Sequence, residues 1–169
     1  MLPEIKQLKD LVELTNNDVR ESISGLRLLK PDDNYSFAEV IEKYLTVFKK
    51  TCPDIEIDID IAQHNLIIPF NIQIQLFRII QEGLTNIRKH SKATKVSVSL
   101  KFYNNSLVIE IADDGIGFSL DKLNATGCGL AVMQERAEEI GAKYEILSAE
   151  GEGTTIIISL YQYLLERRE

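Results

Sequence analysis

Glu82, Asn86 and His90 stand four residues apart within the stretch Phe70 to Ser91, FNIQIQLFRIIQEGLTNIRKHS. Four-residue steps on a helix stack side chains along one face, each a turn above the last. A helix that merely faces solvent has no need of a carboxylate, a carboxamide and an imidazole in one row. Such a row suits a site for a hydrated divalent cation and a polyphosphate. Leu76, Ile79, Ile80, Leu84 and Ile87 recur at three- and four-residue steps on another face and should point into a core. Pro69 precedes this helix, and Asn71 is its expected N-cap.

Three further stretches could touch a ligand. Ile111 to Phe118 reads IADDGIGF, an apolar strand running out into a loop with Gly115 and Gly117 on either side of Ile116. Glycines there let backbone approach a ligand closely or take positive φ. Asp113, at the strand end, can accept a hydrogen bond from an exocyclic amine. A tight turn would use the same residues. Gly127-Cys128-Gly129-Leu130 opens a helix, whose first N–H groups lack partners and suit a phosphate; Gly127 could equally just end the loop Ser119 to Thr126. Gly151-Glu152-Gly153-Thr154-Thr155 lies between two strands and by itself reads as a hairpin turn.

The rest of the chain must position these groups. It has 169 residues, 44% of them hydrophobic, enough for one to one and a half domains with a real core. A formal net charge of −7 argues against a nucleic-acid or acidic-membrane partner. No apolar run approaches the roughly 18–20 residues of a membrane span, and the start has no signal-peptide pattern. Cys52 and Cys128 are too few and too far apart for a disulfide framework or metal site and read as two free thiols in a reducing cytosol.

Ile5, Leu8, Val12, Thr15, Val19, Ser22, Leu26 and Leu29 make a two-per-heptad seam on an otherwise polar helix. A second copy of the chain is the simplest partner for it. Lys30 to Asn34 breaks the chain, so residues 1–30 form one unit, 31–161 the main domain, and 162–169 a tail. Ser36 with Glu39 is a capping box opening a helix to about Lys50. Ile55, Ile57, Ile59 and Ile61 alternate as a strand. Val96 to Phe102 and Leu107 to Ile111 form a hairpin turned at Asn104-Asn105. A helix from about Gly129 to Ile140, closed by Gly141, precedes strands Tyr144 to Leu147 and Thr155 to Leu160. The order predicts an α/β two-layer sandwich, a mixed and mostly antiparallel sheet with helices on one face.

In this order and spacing the four stretches resemble the GHKL ATPases, the Bergerat-fold group that includes gyrase, MutL and sensor histidine kinases. The Glu82–Asn86 helix looks like that family's N box. Asp113, Gly115 and Gly117 match its first glycine box, Gly127 and Gly129 its second, and Gly153 with Thr154 the late glycine–threonine pair. QEGLTNIRKHSKA and GCGLAVMQERAEEIGA are most similar to the sensor-kinase subclass with a HisKA_3-type dimerisation helix, and residues 1–30 to the second helix of its dimerisation and phosphotransfer hairpin.

The resemblance implies ATP and Mg²⁺ as cofactors. Asn86 would ligate the magnesium on the triphosphate, with Glu82 beside it acting as, or orienting, the general base. Lys89 and His90 would contact phosphate or ribose-side oxygens. Asp113 would hydrogen-bond the adenine amine, with Thr154 supporting it through water. Gly115 and Gly117 would line the purine pocket, and Gly127, Gly129 and Leu130 would wrap the phosphates. Ser119 to Thr126 would be a short mobile lid.

The implied activity is transfer of the ATP γ-phosphate to a histidine on a dimerisation helix. Neither His64, in a loop, nor His90, in the N box, matches that acceptor position. The chain therefore reads as the cytoplasmic C-terminal part of a larger sensor, homodimeric when complete, with a response regulator as partner and the parent protein free to be membrane-anchored. The alternative is an anti-sigma-type serine kinase of the same ATPase group, against which the heptad helix speaks.

Overall fold

A computed structural model describes residues 36–62, 68–120 and 128–161. The chain divides at Asp33, and everything described belongs to the second unit, Asn34–Glu169. The heptad seam, His64, Gly127, most of the expected lid and the tail lie outside the described residues.

Helix α1, Phe37–Thr51, begins as its sequence requires. The Ser36 hydroxyl accepts from the Glu39 N–H at 3.3 Å, and the Glu39 carboxylate accepts from the Ser36 N–H at 2.7 Å. Strand β1, Glu56–Ile61, pairs parallel with β2, Lys95–Tyr103. Strand β2 turns back antiparallel into β3, Ser106–Asp113. Asn104 and Asn105 make that two-residue turn with φ of 48° and 59°, the double positive φ that a right-twisted hairpin favours and that asparagine tolerates.

Helix α2 runs Phe70–Asn86 and continues as a π-helical turn over Ile87–Ser91. Its N-cap is Pro69, not Asn71. Extended backbone at Pro69 starts the helix two residues earlier, which leaves Asn71 exposed inside the first turn. Gln73 supplies the local closure instead, its side-chain amide donating to the Ile68 carbonyl at 2.7 Å. Helix α3, Cys128–Glu139, ends in a Schellman turn at Gly141, with Ala142 N–H donating to Ala137 O at 2.8 Å and Gly141 N–H to Glu138 O at 3.0 Å. Strands β4, Lys143–Ser148, and β5, Thr154–Tyr161, complete the sheet.

The strand order is β1-β2-β3-β5-β4, with only β1–β2 parallel. Alternation buries Val96, Val98 and Leu100 of β2, Leu107, Ile109 and Ile111 of β3, and Ile156, Ile158 and Leu160 of β5 on one face. Against these sit Leu76, Phe77, Ile80 and Leu84 of α2, Ile41 and Leu45 of α1, and Met133 and Ala137 of α3. The architecture is the expected two-layer sandwich, and α2 occupies its middle.

Phe77 is fully buried and meets the Tyr44 ring edge-on, centroids 5.0 Å apart. Phe77→Ala removes the ring that joins α2 to α1. The expected loss is about 3–5 kcal/mol of unfolding free energy, read as a fall in urea midpoint at unchanged m-value.

Candidate functional site

A cavity of about 570 Å³ opens between the second half of α2, the adjoining ends of β3 and β5, and the start of α3. Glu82 and Asn86 form one wall, with Lys89 and His90 at the π turn beyond them. Asp113 of β3 and Thr154 of β5 lie in the wall where their strands pair, with apolar Ile111 and Ile156 behind them. Gly117 and Ile116 come from the loop after β3, Gly129 and Leu130 from α3. Asn86 and Asp113, 27 residues apart in sequence by number, thus share one hollow.

The π turn fixes the relation between helix and loop. A five-residue step widens the helix at Ile87–Ser91, where the Ser91 hydroxyl donates to the Ile87 carbonyl at 2.9 Å. Lys92, at φ 55°, then leaves the helix sharply. The freed Ser91 carbonyl accepts the Ile116 N–H at 2.7 Å. This one bond ties the Glu82–Asn86 helix to the glycine loop.

Gly115 does not lie on the cavity wall. A Cβ there would run into the Ser91 carbonyl oxygen, so its missing side chain serves the closure against the helix. Its N–H donates to Asp113 Oδ1 at 2.8 Å and so orients the carboxylate from behind. Gly117 does line the cavity, at φ 54°. Gly153, at φ 73°, passes directly over the Asp113 carbonyl, where a Cβ would overlap that oxygen. Only glycine meets both demands there.

At the other wall, a Cβ on Gly129 would overlap Glu82 Oε1 and stand 3.5 Å from Asn86 Nδ2. The first turn of α3 therefore lies against the polar row of α2. The far ends of the two helices are clamped as well. The Gln75 side-chain amide donates to Glu139 at 2.7 Å and its carbonyl accepts from Arg136 at 2.8 Å.

Two adjacent aspartates are driven apart. Asp114, which sequence reasoning passed over, accepts the Thr94 N–H, the Thr94 hydroxyl and the Lys95 N–H, each at 2.8 Å, and these bonds hold its carboxyl below the usual range. Burial pushes the Asp113 carboxyl above its ordinary value; the Gly115 N–H opposes this and the Asp114 charge adds to it. Asp114 anchors the loop, while Asp113 faces the cavity.

The shift in Asp113 carries a stability prediction. A carboxyl whose folded value lies above the unfolded 3.8 contributes stability below that value and loses it as pH rises through the folded value. At pH 7 ionised Asp113 therefore weakens the ligand-free fold. Asp113→Asn keeps an oxygen for Gly115 and removes the charge. The ligand-free variant should melt at or above wild type at pH 7, with the difference closing toward pH 3.8. Thermal unfolding across that range checks it.

Fold and site together define a nucleotide-binding ATPase domain. Residues 71–163 match the family of histidine kinase-, DNA gyrase B- and HSP90-like ATPases, and the chain belongs to that family. It is 35% identical over 166 residues to sensor histidine kinase LiaS of Bacillus subtilis, covering 98% of this chain and 45% of that protein. It is 32% identical over 159 residues to the histidine-protein kinase/phosphatase DegS of Brevibacillus brevis, covering 94% and 41%. The chain thus spans less than half the length of these relatives. Among solved structures, the histidine kinase domain of the blue-light activated kinase from Erythrobacter litoralis EL346 superposes with a TM-score of 0.73 at 16% identity, over 89% of this chain and 80% of that one. That likeness is one of fold.

Proposed function

We propose that this chain is the ATP-binding catalytic part of a two-component sensor histidine kinase, acting in the cytoplasm. The observation that carries the reading is the shared cavity: an acceptor for a base amine at one end, Asp113, and a carboxamide and carboxylate at the other, Asn86 and Glu82. The names of the relatives support the choice of kinase within the ATPase family.

Asp113 accepts from the adenine amine, and Ile111, Ile116 and Ile156 cover the ring. Exposed at the rim, Lys89 offers positive charge and His90 a ring N–H to the phosphates. Gly129 and Leu130 bring the opening turn of α3 against the triphosphate. The oxygen donors of Asn86 and Glu82 on one cavity wall fit a hard divalent cation. Magnesium, when bound, neutralises charge between the phosphates. An acceptor imidazole nitrogen attacks the γ-phosphorus, the bond to the β-phosphate oxygen breaks, and ADP leaves. Glu82 takes the proton released from the other ring nitrogen. In the complete sensor the acceptor lies on a dimerisation hairpin, the protein is a homodimer, and a response regulator receives the phosphoryl group.

Supplying a dimerisation hairpin in trans with labelled ATP and Mg²⁺ tests this. Acid-labile, base-stable phosphate on the hairpin is expected. Acid-stable phosphoserine on a partner would favour the serine-kinase alternative and overturn the histidine-kinase reading.

A further inference from the structure

Ser148, at the end of the edge strand β4, gathers three polar groups around its hydroxyl. Its Oγ lies 3.0 Å from the Phe118 N–H, 2.9 Å from the Gly153 carbonyl oxygen, and 3.0 Å from Thr154 Oγ1. Valence decides the directions. A hydroxyl has one hydrogen to give and two lone pairs. The Gly153 carbonyl can only accept, so it takes the Ser148 hydrogen. The Phe118 N–H can only donate, so it occupies one lone pair. The remaining lone pair faces Thr154, which must then be the donor.

Thr154 therefore spends its single hydroxyl hydrogen on Ser148, away from the cavity, and presents only lone pairs to it. It pairs across the sheet with Asp113, whose carboxylate is also an acceptor when ionised, and both line the cavity. That end of the cavity is thus built to receive hydrogen bonds: Ile111 and Ile156 beside it are apolar, and the Thr85 and Ser91 hydroxyls that also line the cavity give their hydrogens to the Gln81 and Ile87 carbonyls.

We propose that Ser148 is a specificity-determining positioning residue, which orients the Thr154 hydroxyl so that the site accepts a purine with an amine at its 6-position and rejects one with a carbonyl there. The inference rests on the nucleotide reading above. With a 6-amino base, Asp113 and Thr154 each accept one hydrogen of the amine. With a 6-oxo base, the carbonyl oxygen faces two acceptors and finds no donor, and the cost of that unmatched pairing is what separates the two bases. Without Ser148 the Thr154 hydroxyl is free to rotate its hydrogen into the cavity and serve the carbonyl.

Titration calorimetry of the full chain with Mg·ATP and with Mg·ITP, which carries the 6-oxo base and no 2-amino group, reads the preference directly. Ser148→Ala should reduce the ATP-to-ITP affinity ratio by about five- to tenfold, chiefly by improving ITP, the scale of one hydrogen bond. Ser148→Thr, which keeps the hydroxyl, should restore the wild-type ratio. Thr154→Val should lose preference to a similar extent, and adding Ser148→Ala to it should change the ratio no further, because Ser148 acts through Thr154. A merely structural Ser148 would weaken both nucleotides equally, and an unchanged ratio in Ser148→Ala overturns the proposal. Should Ser148→Ala not fold, an unchanged ratio in Thr154→Val overturns it instead. Failure of wild-type chain to bind either nucleotide would overturn the nucleotide reading itself, an outcome distinct from ATP binding with an unaltered ratio.

Discussion

Asn86→Ala should lower magnesium-dependent phosphoryl transfer about a hundredfold or more while leaving the fold intact. Asn86 is half-buried at the cavity wall, and the apolar stripe that anchors α2 runs along a different face. Its truncation therefore removes no core contact, and unfolding free energy should stay within about 0.5 kcal/mol of wild type. In the proposed function Asn86 is the oxygen donor to the magnesium on the triphosphate, where charge develops during transfer, and one such contact is typically worth a factor of about a hundred to a thousand. The signature is in the metal dependence. With magnesium chelated, wild type and variant should bind nucleotide alike, since Asp113 and the apolar walls are untouched. With magnesium present only wild type should gain affinity. Equal gains in both would remove Asn86 from the metal site.

Gly129→Val should cost at least tenfold in nucleotide affinity, for a reason located in the opposite wall. The position where its Cβ must stand is held by the Glu82 carboxylate, with Asn86 Nδ2 close by. A valine there drives the Glu82 carboxylate, the far end of a flexible side chain, off its place, so the cost to the fold is small and the effect falls on the cavity wall. The Gln75 clamp to Arg136 and Glu139 resists retreat of the far end of α3, so the distortion concentrates at the cavity. Coupling makes the cause testable. Adding Glu82→Ala to Gly129→Val should recover most of the lost affinity without recovering transfer, because it clears the space and removes the proposed base. Additive losses would place the strain elsewhere.

Much of the fold was legible because it is dictated locally. The Ser36–Glu39 capping box, the Asn104-Asn105 hairpin and the alternation in β2 and β3 each involve residues within a few positions of one another, and all formed as expected. The Glu82–Asn86 row was legible for the same reason, since helical periodicity alone puts both on one face. The π turn at Ile87–Ser91 was not, because its driving contacts, Ser91 carbonyl to Ile116 N–H and Gly115 against Ser91, join segments far apart in sequence. Asp114 was missed likewise: its partners Thr94 and Lys95 lie 20 and 19 residues away. Gly115 packs against the Ser91 backbone instead of the cavity, a distinction spacing does not reveal, since it does not tell a glycine facing a ligand from one packed against backbone. Asn71 lost the cap to Pro69 because the helix gained two residues at its start.

The most direct test is a crystal structure of the chain with Mg²⁺ and a non-hydrolysable ATP analogue. The base amine should lie within hydrogen-bond distance of the Asp113 carboxylate and the metal-bound triphosphate beside Asn86, both in the cavity between α2 and the glycine loop. A nucleotide bound anywhere else, or one seated there with its triphosphate toward Asp113 and its base toward Asn86, would contradict the proposed function.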